Sequence, residues 1–222
     1  MSRLLTLTLG SNPTAVAIDQ LIIAGWTGRD REAVEKHIRE LQALGIKPPT
    51  STPIFYRASV SRVTTDAAIE AVGESSGGEA EFVLLRHASR LWVGAGSDHT
   101  DREVEKYGVT VSKQLCEKPI APVLWPYDEV AEHWDRLILR SHVLASGKSV
   151  LYQEGSVAAL LHPLDLMERH GALADGTLLF GGTLPAHGGV RATSEFAFEL
   201  EDPVRRRKIA HAYRVQPLAI LG

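Results

Sequence analysis

Residues 79–101 read EAEFVLLRHASRLWVGAGSDHTD, two short apolar runs separated by a polar turn. The runs, Phe82–Leu85 and Leu91–Ala95, are too short for helices and rich in residues that favour strands, so they predict a pair of strands. Glu79 and Glu81 lead straight into the first. One residue apart on a strand, they point to the same face, with about 7 Å between them along the chain. The second strand ends in Gly96-Ser97-Asp98, which sets a third carboxylate at a strand end. A carboxylate pair with a third alongside is a donor set for an oxygen-ligated Mg²⁺ or Mn²⁺. The same residues also fit two exposed glutamates on an edge strand and a turn aspartate, a common arrangement.

Outward from this stretch, most of the chain predicts short strands. Leu4–Leu9 alternates apolar residues with Thr, and Gln20–Ala24 is an apolar run ending at Gly25. Further candidates are Ile54–Tyr56, Ser149–Tyr152, Thr177–Phe180 and Ser194–Glu201, with Glu74–Gly78 (ESSGG) as a turn signal. Three helices are expected. Arg29–Leu44 carries Val34, Ile38, Leu41 and Leu44 at helical spacing, with Gly45 placed to end it. Tyr127–Ala145 has a stripe of Val130, Trp134, Leu137 and Leu144, and Pro163–His170 stops at Gly171. Pro48, Pro49 and Pro53 force an extended linker. Strands and helices do not alternate regularly, which disfavours a doubly wound parallel sheet. The expected fold is α+β: a strand-rich domain over 49–222 with a small N-terminal strand and helix portion over 1–48.

The 222 residues suit one large domain, and 44% hydrophobic with 23% charged residues is a globular balance. Lys plus Arg is 24 against 27 Asp plus Glu, a net charge of −3, without the basic excess expected of a nucleic-acid partner. A lone cysteine, Cys116, excludes an intramolecular disulfide framework and a Cys-rich zinc module, and it reads as a packing residue. No apolar run approaches the ~20 residues that span a bilayer. Met1–Gly10 lacks signal-peptide character, so the expectation is a cytoplasmic protein with no membrane partner. Gly147-Lys148-Ser149 lacks the glycine a phosphate-binding loop requires, since His142 stands in its place. Arg205–Lys208 (RRRK) reads as a solvated turn and His187-Gly188-Gly189 as a flexible one, and there is no HExxH or GxSxG.

Residues 97–103, Ser-Asp-His-Thr-Asp-Arg-Glu, resemble the NDxTxRD signature of the fumarylacetoacetate hydrolase superfamily. Asp98, Thr100 and Arg102 match it, and Glu103 replaces the final Asp. Glu79 and Glu81 match the ExE pair that precedes this signature in the family. Ser112-Lys113-Gln114-Leu115, then Pro119 and Pro122, look like the family's lysine and following Pro-containing segment. Gly176-Thr177 and Gly181-Gly182-Thr183-Leu184-Pro185 echo its C-terminal Gly-Thr-Pro segment, and Pro53-Ile54-Phe55 its Pro-x-Phe strand. The resemblance runs in order from about position 20 to 200.

The resemblance implies a mixed β-sandwich roll that usually dimerises, here a homodimer. It implies Mg²⁺ or Mn²⁺ on Glu79, Glu81 and Asp98, and a small 2-oxo or 1,3-dicarbonyl acid as substrate. The chemistry it implies is C–C bond hydrolysis, decarboxylation, hydration or tautomerisation through a metal-stabilised enolate. Lys113 would add positive charge where an oxyanion develops. Thr183, with the backbone of Gly181 and Gly182, would hold the substrate carboxylate. Many members carry a His-x-x-Glu dyad on a lid helix, and His37-Ile38-Arg39-Glu40 has that spacing on one helix face. An exposed His and Glu on an amphipathic helix is the other reading of these two residues. Arg102 and Glu103 read as an ion pair fixing the metal loop. A member that has lost catalysis and binds a metal–carboxylate ligand, or a purely structural domain, remains the alternative to an enzyme.

Overall fold

The computed structural model describes residues 2–43, 48–145 and 147–221, apart from the side chains of His37, Glu40, Leu41, Ala43 and Ala145. In chain order it runs β1 (Arg3–Leu9), β2 (Asn12–Ile18), β3 (Gln20–Gly25), α1 (Arg31–Ala43), β4 (Ile54–Ala58), β5 (Val63–Thr64), β6 (Ala68–Val72), β7 (Ser76–Gly77), β8 (Ala80–His87) and β9 (Arg90–Ser97). It continues with β10 (Thr100–Asp101), α2 (Arg102–Glu105), α3 (Val109–Leu115), β11 (Lys118–Pro119), β12 (Val123–Pro126), β13 (Ile138–Ala145) and β14 (Lys148–Ser156). The C-terminal part holds α4 (Pro163–His170), β15 (Thr177–Thr183), β16 (Glu195–Asp202) and β17 (Arg207–Leu218).

Eight strands form one mixed sheet in the order β2-β1-β12-β9-β8-β15-β3-β4, and five form a second, β14-β13-β16-β17-β6. β1 pairs with β12 and β3 with β15, both parallel, so the residues before Pro48 are woven into the large sheet. On β8, Phe82 and Leu84 face the second sheet and pack with Leu139, Phe196, Phe198 and Leu200. Val83 and Leu85 face the other way and pack with Leu7, Val16, Leu124 and Phe180. Apart from Val60, Val63 and Ile120, the buried residues of this second cluster all belong to strands of the large sheet. The sheet therefore curls and packs against itself. That is why Phe82–Leu85 is apolar at every position: both faces of β8 are buried. Inside the curl there is little room. A Cβ on Gly96 would stand 2.7 Å from the Phe180 ring.

β8 and β9 are joined by a two-residue turn, Ala88-Ser89, with both residues left-handed (φ 50° and 58°). This geometry matches the twist of the flanking strands. The Asp175 carboxylate accepts the Ser89 N–H at 3.0 Å and helps to offset the strain of two non-glycine residues there.

The strand-rich α+β architecture agrees with the sequence reading, with one helix misjudged. Tyr127–Ala145 is two 3₁₀ turns, Tyr127–Glu129 and Ala131–Arg136, followed by β13. Val130, Trp134 and Leu137 are buried, as a helical stripe requires, but tight turns bury them equally well. From Leu137 the period becomes two: Leu137, Leu139, Ser141 and Val143 are buried, whereas Leu144 is exposed. α1 starts at Arg31, where Asp30 accepts the Ala33 N–H at 3.1 Å; the expected end at Leu44 and Gly45 lies outside the described residues. The basic run Arg205–Lys208 is a turn leading into β17, but it is not simply solvated. Arg207 stacks 4.3 Å over the Trp125 ring and donates to Glu129 at 2.6 Å. Among the described residues no helix is long and apolar enough to cross a membrane.

Candidate metal centre

Hairpin register brings the three carboxylates together. Ala80 faces Ser97 and Glu81 faces Gly96, and the Asp98 N–H donates to the Glu79 carbonyl at 2.9 Å. Asp98 therefore lies directly across from Glu79, with Cβ atoms about 5 Å apart in such a pair. All three side chains share the face of Val83 and Gly96, the inner side of the curl. They are taken out of water there: Asp98 is fully buried, Glu81 is 2% exposed and the Glu79 side chain 16%.

Each carboxylate has its own fixture. The Gly182 N–H donates to Glu81 Oε2 at 2.6 Å. That donor is free because β15 shifts register against β8 between Phe180 and Thr183, which turns Gly182 out of the ladder. Only glycine fits: φ is 103°, and a Cβ would fall 1.7 Å from Thr27 Oγ1. Arg102 lies 3.6 Å from Glu79, 3.0 Å from Glu105, and donates to the Gly77 carbonyl at 3.0 Å. The expected pair of Arg102 with Glu103 does not form. Neighbours on a helix diverge, so Arg102 meets Glu105 three positions on, and Glu103 turns outward to Lys106 at 2.8 Å. Lys113, on α3, is ion-paired with Asp98 Oδ2. Lys118, fully buried on β11, stands 3.3 Å from Asp98 Oδ1 and donates to the carbonyls of His99 at 2.5 Å and Cys116 at 3.2 Å.

The electrostatics follow from burial and these partners. Burial pushes the Glu79 carboxyl up, against the pull of Arg102. Glu81 is pushed well up, by burial first and then by the Asp98 charge beside it. Burial acts on Asp98 in the same direction, but the Lys113 and Lys118 ammonium groups outweigh it and hold Asp98 at about 2. Burial works against the Lys113 charge, yet Asp98, Glu79 and Glu81 together raise its pKa. Lys118 is lowered by burial.

The donor chemistry fits a hard dication, with three buried carboxylates on one face and a cation, the Lys113 ammonium, already paired with one of them, Asp98. Among the described residues no three His, Cys, Asp or Glu side chains stand in ligating geometry, and Lys113 holds the Asp98 oxygen that a metal would need. The other expected site residues are placed as follows. Gly181 packs against the Phe82 ring, 2.1 Å from where its Cβ would be. The Gly182 N–H is engaged by Glu81, and the Thr183 hydroxyl donates to the Ala80 carbonyl at 2.8 Å and accepts from Gln153 at 2.7 Å. These groups line the wall of the site, with their donors used within the chain. Residues 37 and 40 fall on α1, but the side chains of His37 and Glu40 lie outside the described residues.

Three further neighbours stand at the site, of which Tyr56 and Gln153 escaped the sequence reading. The Tyr56 ring centroid is 5.7 Å from Lys113 Nζ, and burial raises its phenol. His99 is buried, with Nδ1 2.8 Å from the Tyr213 hydroxyl and Nε2 2.9 Å from Ser76 Oγ; burial and the nearby Lys118 charge lower it to about 3, so the ring is neutral. His99 sits within the 97–103 stretch, where it was legible as a neighbour. Gln153 had no local signal, because the second sheet delivers it.

No curated protein matches the chain by sequence. Among solved structures, it is similar to a proposed fumarylpyruvate hydrolase from Burkholderia cenocepacia, with a TM-score of 0.64 and 13% identity over 98% of this chain and 97% of that one. It is similar also to a 2-keto-3-deoxy-D-arabinonate dehydratase complexed with magnesium and 2,5-dioxopentanoate, with a TM-score of 0.63 and 16% identity over 90% and 74%. Identities this low speak for the fold alone, and the fold they share is the mixed β-sandwich roll. A model of the family described as "Protein of unknown function (DUF2848)" matches residues 24–213. The chain therefore belongs to the DUF2848 family, built on the fold of the fumarylacetoacetate hydrolase superfamily.

Proposed function

We propose that the chain is a Mg²⁺- or Mn²⁺-dependent enzyme acting on a small 2-oxo or 1,3-dicarbonyl acid by C–C bond hydrolysis, decarboxylation, hydration or tautomerisation. The observation that carries this reading is the hairpin register that sets Glu79, Glu81 and Asp98 on one buried face, with a lysine ammonium among them. The dehydratase of like fold, solved with magnesium and a dioxo compound, supports the substrate class. A dication held by the three carboxylates would supply Lewis acidity to the substrate carbonyl. Lys113 stays protonated beside Asp98 and offers positive charge to a carbonyl oxygen that gains negative charge. Lys118 keeps Asp98 ionised, and Arg102 orients Glu79. The curled sheet excludes bulk water from the carboxylates, which strengthens each of these interactions. His37 takes the proton-transfer role in this reading, with Glu40 orienting its imidazole from one turn along α1. The same reading expects a homodimer, which light scattering measures.

Charge balance yields a first prediction. Lys113, Lys118 and Arg102 already stand against the three carboxylates. A dication alone adds positive charge to a nearly balanced, poorly solvated site, whereas a dication entering with an oxo-acid anion does not. Mn²⁺ affinity measured by titration calorimetry is therefore expected to rise at least about tenfold in the presence of oxalate, ~1.4 kcal/mol. Equal affinities would count against the charge argument. The function itself is tested by a metal-supplemented screen of 2-oxo and 1,3-diketo acids with product identification. Turnover that requires the metal supports it. Stoichiometric metal binding without turnover across the panel would favour a non-catalytic metal–carboxylate binder.

A further inference from the structure

The mechanism outlined above makes no use of Gln153, a buried amide that reaches the site from the second sheet. We propose that Gln153 and Thr183 form a positioning clamp on Ala80, the residue between the two glutamates, and that this clamp sets the geometry on which metal binding depends. The inference rests on the reading of Glu79 and Glu81 as metal ligands.

The backbone of Ala80 explains why a clamp is needed. In an antiparallel ladder, successive residues turn their N–H and C=O alternately toward one neighbour and the other. Glu79 bonds toward β9, through the Asp98 N–H, so Ala80 turns both of its polar groups toward β15. β15 shifts register between Phe180 and Thr183, rejoins β8 at Thr183 opposite Glu81 and ends there, so no residue of β15 lies opposite Ala80. Two side chains take over. Gln153 Oε1 accepts the Ala80 N–H at 2.9 Å, and the Thr183 hydroxyl donates to the Ala80 carbonyl at 2.8 Å. The peptide groups that fix the directions of Glu79 and Glu81 are thus held by side chains at the open end of the strand.

Gln153 has no freedom to adjust. It is 1% exposed, and all four of its hydrogen-bonding positions are filled. Oε1 also accepts from Ser141 Oγ at 2.7 Å, while Nε2 donates to Thr183 Oγ1 at 2.7 Å and to the Leu184 carbonyl at 2.6 Å. A flipped amide would set its NH₂ against the Ala80 N–H and its oxygen against the Leu184 carbonyl, so the orientation is determined. The bonds run in one direction, from Gln153 Nε2 to Thr183 Oγ1 and from Thr183 to the Ala80 carbonyl. Loss of either side chain breaks the chain. Gln153 lies on β14 and Thr183 on β15, so the clamp ties the glutamate pair to both sheets at once.

The test is Mn²⁺ affinity of the full chain, by calorimetry or by electron paramagnetic resonance of free Mn²⁺, with thermal melts confirming that each variant is folded at the assay temperature. Gln153→Leu and Thr183→Val are each expected to weaken Mn²⁺ binding at least about tenfold, the scale of lost outer-shell support. The double variant should lose less than the product of the two single losses, since the Gln153–Thr183 bond is shared while each side chain also holds its own group of Ala80. Thr183→Ser, which keeps the hydroxyl, should restore wild-type affinity; a residue needed only for stability would move the melts and leave affinity unchanged. If Gln153→Leu fails to fold, Thr183→Val against Thr183→Ser decides the matter. Wild-type Mn²⁺ affinity in Thr183→Val, with binding lost in Glu81→Gln, would overturn the clamp and leave the metal reading standing. Wild-type affinity in Glu81→Gln would overturn the metal reading itself, and the clamp with it.

Discussion

Glu81→Gln is expected to weaken Mg²⁺ or Mn²⁺ binding by at least about 10²-fold, beyond the usual loss of outer-shell support, and to reduce turnover in parallel, without loss of fold. The variant keeps an oxygen for the Gly182 N–H but removes a charge that burial disfavours. In the metal-free protein it should therefore melt at the same temperature as wild type or higher. The sign with pH follows from the direction of the shift. The folded pKa of Glu81 is raised above the ordinary 4.5, so its protonated form favours the fold at low pH, and that contribution is lost as pH rises from 4.5 through the folded value. The variant's advantage in melting temperature should thus be present at neutral pH and absent near pH 4. Calorimetry for the metal and melts across pH 4–8 check both halves. A variant that loses metal binding only because it unfolds would appear as a lower melting temperature at every pH.

Lys113→Met should lower kcat by about 10²–10³, the cost of removing one preorganised positive donor from a developing oxyanion. KM should change less, because the donor is worth more in the transition state than in the ground state. The methionine fills much of the same space, and Asp98 keeps Lys118 at 3.3 Å, so the fold survives. Metal affinity should be unchanged or higher, because the ammonium that occupies Asp98 Oδ2 is gone. Steady-state kinetics at saturating metal provide the check. An unchanged kcat would take Lys113 out of the reaction and leave its bond to Asp98 as a structural one.

What could be read from the sequence was what is local. Phe82–Leu85 and Leu91–Ala95 declared themselves because both faces of their strands are buried, and Glu79 and Glu81 share a face through the two-residue period alone. β2 (NPTAVAI) and β17 (RKIAHAYRVQPL) are rich in Ala or broken by Arg, His and Gln and include Pro13 and Pro217, so neither announced itself. The segment after Tyr127 was misread because its spacing of four and three residues fits a helix and a pair of 3₁₀ turns equally. At the site, Asp98 was legible because a hairpin joins it to Glu81. Gln153 and Tyr56 were not, since only the packing of distant strands brings them near. The expected pair of Arg102 with Glu103 failed for a local reason, a short helix that a signature match does not reveal.

The turn at Ala88-Ser89 has a bearing on how such a centre can be gained or lost. Strand pairing counts residues, and a shift of one exchanges the faces. One residue added between Ala88 and Ser89, at the far end of the hairpin from the three site carboxylates, would leave Glu79 and Glu81 aimed into the curl. It would offer them Ser97 or His99 across the ladder in place of Asp98, and send the aspartate to the opposite face. Length drift at this loop tip is thus a single-event route from a metal centre to a bare scaffold, with every ligand residue still spelled out in the chain.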